Sequence, residues 1–222
     1  QSRAEQLHNG NIQNMIKIIK KPVDPIDANS YTVIDTETKK CVIIDFGADF
    51  SRLMKSCDDL KLNVCGALLT HGHFDHGMSG YLAKDYGVKV YVPEGDETML
   101  YSDDNLAKRF GISDAPFYHA DEVLKEGKTE IGGIPIEVIS TPGHTEGSSC
   151  FIIDGKLFTG DTLFFGSYGN TSFPGGNFEK IKDSIQNKLF KLDGDYEVFP
   201  GHGENTTLDY ERTHNYINYD NY

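Results

Sequence analysis

Five of the eight histidines in this 222-residue chain fall in three short blocks: His71-Gly72-His73-Phe74-Asp75-His76, then Pro142-Gly143-His144, then Gly201-His202-Gly203. A fourth block, Phe158-Thr159-Gly160-Asp161-Thr162, sets a carboxylate between two apolar stretches, where a buried charge needs a cation partner. Imidazole nitrogens and carboxylate oxygens without thiolates suit zinc, iron or manganese. His71 and His73, two residues apart on an extended segment, can reach one ion together. The seven candidate ligands His71, His73, Asp75, His76, His144, Asp161 and His202 are too many for one tetrahedral ion. A single block of this kind reads as hydrogen-bonded histidines at a loop end, whereas all of them in one chain read as a metal centre. His8, His119 and His214 have no ligand-like neighbours and read as surface or packing side chains.

Each block follows an apolar run, so each is expected on a loop at the C-terminal end of a strand. Strand patterns occupy residues 15–20, 31–35, 41–45, 67–70, 88–92, 134–139, 150–153, 156–159 and 196–199. Asp154-Gly155 marks a tight hairpin. One helix is expected over 49–60, where Phe50, Leu53, Met54, Cys57 and Leu60 share a face. Another is expected over 177–190, where Phe178, Ile181, Ile185 and Leu189 do. Strands interrupted by single helices, with no repeat and no low-complexity linker, predict an α+β domain of two sheets covered by helices.

The length suits one domain, and 38% hydrophobic residues with 12 Tyr and 13 Phe exclude a disordered chain. Residues 1–14 are polar and aperiodic, which divides the chain into a flexible tail or vector remnant (1–14) and a folded domain (15–222). With 21 Lys and Arg against 34 Asp and Glu, the formal charge is -13, a field that repels a phosphate backbone and excludes nucleic acid as a partner. No run approaches the length of a membrane span and no signal-like segment opens the chain, so a cytoplasmic protein without membrane association is expected. Cys41, Cys57, Cys65 and Cys150 lack C-x-x-C spacing and read as buried reduced thiols.

The H-x-H-x-D-H block, the later His144, the Gly-Asp-Thr aspartate Asp161 and the final Gly-His202 resemble the metallo-β-lactamase superfamily, and more narrowly its short, single-domain glyoxalase II-like branch. The resemblance runs from about Met15 to Asn215. It implies an αββα four-layer sandwich with two ions at one edge of the sheets, zinc in the first place and iron or manganese as substitutes. It also implies that His71, His73 and His144 hold the first ion, that Asp75, His76 and His202 hold the second, and that Asp161 bridges them. On that pattern a shared water becomes the nucleophile, Asp75 orients it or takes its proton, and the substrate is a small acylated thiol such as S-lactoylglutathione. The alternative reaction class is a persulfide dioxygenase with one iron on His71, His144 and Asp161. A lactonase or other ester or amide hydrolase is a second alternative.

Residues 165–177 are Gly-rich and follow Asp161, which makes them a substrate-facing loop with Tyr168 and Asn170 as candidate contacts. In the branch resembled, an Arg or Lys commonly stands where Asn170 is, and an Asp where Ser172 is, so the loop lacks a basic handle. Glyoxalase II proper adds a glutathione-gripping helical region, and with 20 residues after His202 that region is expected to be missing. Residues 211–219 are expected to form a short helix whose Tyr216 and Tyr219 pack against the body. Asn29 and Tyr31 are expected in a loop bordering the site, and residues 95–119 as a surface insertion.

Overall fold

The computed structural model describes residues 16–219, so Met15 and the tail expected over 1–14 lie outside the described residues. Six strands form the first sheet in chain order: β1 (Ile16–Val23), β2 (Ala28–Asp35), β3 (Lys40–Ile44), β4 (Asn63–Leu68), β5 (Val90–Pro93) and β6 (Glu122–Leu124). The first three are antiparallel hairpin neighbours, and β3 to β6 run parallel. Parallel neighbours need crossovers. Helix α1 (Phe50–Asp59) supplies the one between β3 and β4, and the single turn α2 (Phe74–Gly77) begins the next.

The chain then builds β7 (Gly127–Ile131), β8 (Ile134–Ser140), β9 (Ser149–Ile153) and β10 (Lys156–Gly160). A separate hairpin of β11 (Leu163–Phe164) and β12 (Ser167–Tyr168) follows, then helix α3 (Phe178–Asp183), β13 (Glu197–Pro200), β14 (Thr206–Thr207) and helix α4 (Leu208–His214). The second sheet has the order β14-β13-β10-β9-β8-β7. Its β9–β10 turn puts Asp154 and Gly155 at φ 49° and 70°, the paired left-handed geometry expected of an Asp-Gly hairpin.

Alternation along the strands assigns the layers. In β3, Val42 and Ile44 face the second sheet while Cys41 and Ile43 face α1. In β9, Phe151 and Ile153 face the first sheet while Cys150 faces the opposite helices. α1 buries Phe50, Leu53 and Cys57 on one outer face, and Ile181, Ile185, Leu189, Leu208 and Ile217 cover the other. The result is the expected αββα sandwich.

The helix expected over 177–190 is α3 continued by a wide π turn at Ser184–Lys188 and a 3-10 turn at Leu189–Lys191. Ile181, Ile185 and Leu189 are spaced by four, which drifts around a regular α-helix. A wider turn returns all three to the sheet, where each is fully buried. Strand β7 escaped the sequence pattern because only its last residue, Ile131, is buried.

The expectation for Tyr216 and Tyr219 is corrected, since they are 67% and 68% exposed. Asn215 Oδ1 accepts from the Ile217 amide and turns the fully buried Ile217 inward between them. Cys41, Cys57 and Cys150 are buried free thiols, and Cys65 is half-buried. Among the described residues no helix is long and apolar enough to cross a membrane.

One topological consequence positions the chemistry. β9 is antiparallel to both β8 and β10, and β13 is parallel to β10. The C-terminal ends of β8, β10 and β13 therefore meet at one edge of the second sheet.

Candidate metal centre

From the end of β4 the chain turns through His71 and His73 into α2, which carries Asp75 and His76; His144 follows β8, Asp161 follows β10 and His202 follows β13. The fold brings all seven together. Ligand atoms of His71, His73 and His144 lie within 4.8 Å of one another, as do those of Asp75, His76 and His202, and those of His71, His76 and Asp161. His73 Nδ1 is 3.0 Å from His144 Nε2, and His202 Nε2 is 3.0 Å from Asp75 Oδ2. Asp161 stands between the groups. Its Oδ1 is 3.3 Å from His76 Nε2, and its Oδ2 is 3.5 Å from His144 Nε2 and 3.6 Å from His202 Nε2.

The donors fit a divalent cation on grounds internal to the protein. His71 Nε2, His73 Nε2, His76 Nε2 and Asp161 Oδ1 are buried without any hydrogen-bond partner. An orphaned buried polar atom costs about 1–3 kcal/mol, and three of these, from His71, His76 and Asp161, belong to one ligand-spaced group and call for a common partner. Burial, reinforced by the surrounding rings, holds His71 well below the usual histidine range and pushes His73 down to about 3, which leaves their rings neutral and their lone pairs available. Burial opposes charge on Asp161 too, but the His76 ring outweighs it and holds the carboxyl at about 2. Asp75 is likewise held well below the carboxylate range, against burial, by His76 and His202.

Three of the rings are aimed by a second partner. His76 Nδ1 donates to Asp45 Oδ2 at 2.8 Å, and His144 Nδ1 donates to the Asn170 carbonyl at 2.7 Å; both leave Nε2 facing the cluster. Asp45 also accepts from the Thr70 amide and hydroxyl, and that hydroxyl contacts His71 Nδ1 at 3.1 Å. Asp96, fully buried, ties the two ligand loops together: it accepts from the Gly72 amide at 2.9 Å, from Thr145 Oγ1 at 2.7 Å and from the Gly147 amide at 2.7 Å. Neither Asp45 nor Asp96 was singled out from sequence. Asp45 had a signal, because it ends an apolar strand as Asp161 does; Asp96 had none.

Asn29 and Tyr31 belong to β2 rather than to a loop, and they brace the His202 segment. Asn29 Nδ2 donates to the carbonyls of Pro200 and Gly203, and Tyr31 Oη to that of Pro200. The glycine between them is required by closeness. A Cβ on Gly201 would collide with Asp161 Oδ1 and stand 2.9 Å from His76 Cε1 and from the Gly160 carbonyl carbon. Gly201→Ala is expected to weaken metal binding roughly 10- to 100-fold, as other changes in the surroundings of metal ligands do. Competition against a chromophoric chelator measures it, and unchanged affinity would show that this close approach is dispensable.

A cavity of about 210 Å³ opens onto His73, Asp75, His144, Asp161 and His202, and its wall is formed by Ile26, Leu106, Phe110, Phe164, Asn170 and Phe173. Leu106 and Phe110 come from the segment expected as a surface insertion, and that expectation is corrected. Short 3-10 turns at Asp103–Asn105 and Lys108–Phe110 fold it against Phe74 and Phe173. The loop after Asp161 reaches the cluster as expected, with the Phe173 ring 5.9 Å from that of His73. Asn170 lines the cavity, and its Oδ1 accepts from the amide and hydroxyl of Ser172, which fixes the turn. Tyr168 packs toward Phe178, with ring centroids 6.0 Å apart, against the layer of Ile181, Ile185 and Leu189. His119 and His214 lie outside the cluster, against Tyr101 and Tyr210.

Comparison with known proteins identifies the family. The model of the metallo-beta-lactamase superfamily matches residues 23–202. The hydroxyacylglutathione hydrolase GloC of Haemophilus influenzae is 36% identical over 200 residues, 87% of this chain and 94% of that protein. The crystal structure of the BLEG-1 B3 metallo-beta-lactamase superposes with a TM-score of 0.84 at 31% identity, covering 90% of this chain and 98% of that one. TTHA1623 in a di-iron-bound form superposes with a TM-score of 0.78 at 30% identity, covering 89% and 98%. By family model, by sequence and by fold, the chain belongs to the metallo-β-lactamase superfamily.

Proposed function

We propose that this chain is a binuclear metal-dependent hydrolase that cleaves a small acyl thioester, with S-lactoylglutathione as the first candidate. The observation that carries the reading is the pair of three-residue ligand groups joined by Asp161, with buried ring nitrogens that nothing else in the protein satisfies. His71, His73 and His144 would hold one ion, Asp75, His76 and His202 the other, and Asp161 would bridge them. Zinc suits this nitrogen and oxygen set, and the di-iron form of the TTHA1623 relative names iron as the competitor. Two ions so held would supply a shared water with a pKa near roughly 7 and polarise the substrate carbonyl.

The protein's own groups do the rest. Asp75, ionised and in contact with His76 and His202, orients the attacking water and accepts its proton. The aromatic wall of Phe110, Phe164 and Phe173 excludes bulk water from the reacting carbonyl and seats the apolar parts of the substrate. Asn170 offers its remaining amide N–H groups toward the cavity as neutral donors. The volume of about 210 Å³ is below the roughly 300–1,000 Å³ of cavities for drug-sized ligands, which favours a small acyl group. The name of the Haemophilus relative supports the thioester class.

The test is thiol release from S-lactoylglutathione by the metal-loaded protein, run beside a lactone, a β-lactam and glutathione persulfide with oxygen uptake recorded. Thioester cleavage at a kcat/KM well above that for the other substrates is expected. Oxygen consumption with the persulfide and no thiol release would replace the hydrolase by a dioxygenase.

A further inference from the structure

Among the described residues no Lys or Arg lines the cavity over the ligand cluster, yet a cation stands over Phe173, one of its wall residues. Arg109 Cζ lies 5.3 Å from the centroid of the Phe173 ring. That same ring meets His73 at 5.9 Å, Phe110 at 6.2 Å and His144 at 6.4 Å. Phe173 thus links the guanidinium to the ligand histidines, and the two ring distances put Arg109 within about 11 Å of the His73 ring.

Neighbouring cations are already committed. Lys108 pairs with Asp103, and Lys180 with Glu146. Arg109 is exposed and contacts the ring by its face, with no carboxylate paired to it among the described residues. A guanidinium stacked this way keeps its N–H edge free, in the planar fork that binds a carboxylate through two parallel hydrogen bonds. On a chain of net charge -13 an anionic substrate is otherwise repelled, so an uncommitted cation beside the cavity changes what can approach.

We propose that Arg109, seated on Phe173, is the specificity-determining anion contact of this cavity, and that the substrate is a thioester whose thiol portion carries a carboxylate beyond a short apolar segment. The acyl carbonyl must lie at the floor, against the ligand groups, whereas the departing thiol must point to the opening, where Arg109 is. The apolar segment between them rests on Phe110 and Phe173. The inference rests on the hydrolase reading for the reaction, but the anion contact is separable from it.

The experiment compares two thioesters, S-lactoyl-3-mercaptopropanoate and its neutral primary amide, on the metal-loaded protein and on Arg109→Gln. The native protein is expected to favour the carboxylate by about tenfold in kcat/KM, through KM, as one charge-assisted contact warrants. Arg109→Gln should erase the preference, and Arg109→Lys should keep part of it. No preference in the native protein, or a preference that survives Arg109→Gln, overturns the proposal. If neither thioester is cleaved, the hydrolase reading is what has failed. Calorimetric titration with 3-mercaptopropanoate and 3-mercaptopropanamide then decides the anion contact: a carboxylate preference lost in Arg109→Gln supports it, and equal binding overturns it.

Discussion

Asp161→Asn lowers hydrolysis by roughly a thousandfold or more and leaves no more than one tightly held ion per chain. The expectation follows from where the two carboxylate oxygens stand. Oδ1 faces His76 and has no partner of its own, while Oδ2 lies between His144 and His202. A single carboxylate therefore touches both ligand groups, and an amide of the same shape has only one oxygen to offer and no charge. The buried His76 also loses one of the carboxylates that surround it, Asp45 and Asp75 being the others. Loss confined to this effect requires an intact fold, checked by circular dichroism and by unaltered thermal cooperativity. A variant with both ions and activity within tenfold of native would remove Asp161 from its bridging role.

Stripping the metal is expected to lower the melting temperature by roughly 10 °C or more, reversibly. An ion present at about 1,000 times its Kd stabilises the folded state by about 4 kcal/mol, and each kcal/mol corresponds to about 2–4 °C in a domain of this size. The structural cause is concentrated in one place. Without ions, carboxylate oxygens of Asp75 and Asp161 both crowd His76 Nε2 at 3.3 Å, and four buried polar atoms have no hydrogen-bond partner. Differential scanning calorimetry before and after dialysis against a chelator, with metal added back, measures the effect. An unchanged transition after complete metal loss would mean that the cluster is satisfied by the protein alone.

What was legible in the sequence was local. The seven candidate ligands lie in blocks at strand ends, and each block carries its own signal: an apolar run, a turn, then imidazole or carboxylate. The four-layer arrangement came from the family resemblance, because β3 and β9 are packed on both faces and read as near-continuous apolar runs with no alternation to separate the layers. The remainder depends on contacts between distant segments. Asp96 joins Gly72 to Thr145 and Gly147, a relation with no periodicity to reveal it. Leu106 and Phe110 reach the cavity through short 3-10 turns, which lack a repeating apolar face and so read as surface. Tyr216 and Tyr219 misled because an aromatic pair suggests burial, whereas the Asn215 turn directs the intervening Ile217 to the core.

Asn170 puts a neutral amide in the loop after Asp161. The neutral side chain that stands where the resemblance leads one to expect a base is engaged with Ser172, and its carbonyl aims His144. The loop thereby orients a ligand and shapes the cavity wall, while the cation beside the cavity comes from Arg109 on another segment.

Two ions are expected to share this site. Metal content determined by mass spectrometry on protein purified without added metal, normalised to chain concentration by amino-acid analysis, tests it most directly. Close to two ions per chain is the predicted result. A single tightly held ion that does not rise on reconstitution would contradict the account.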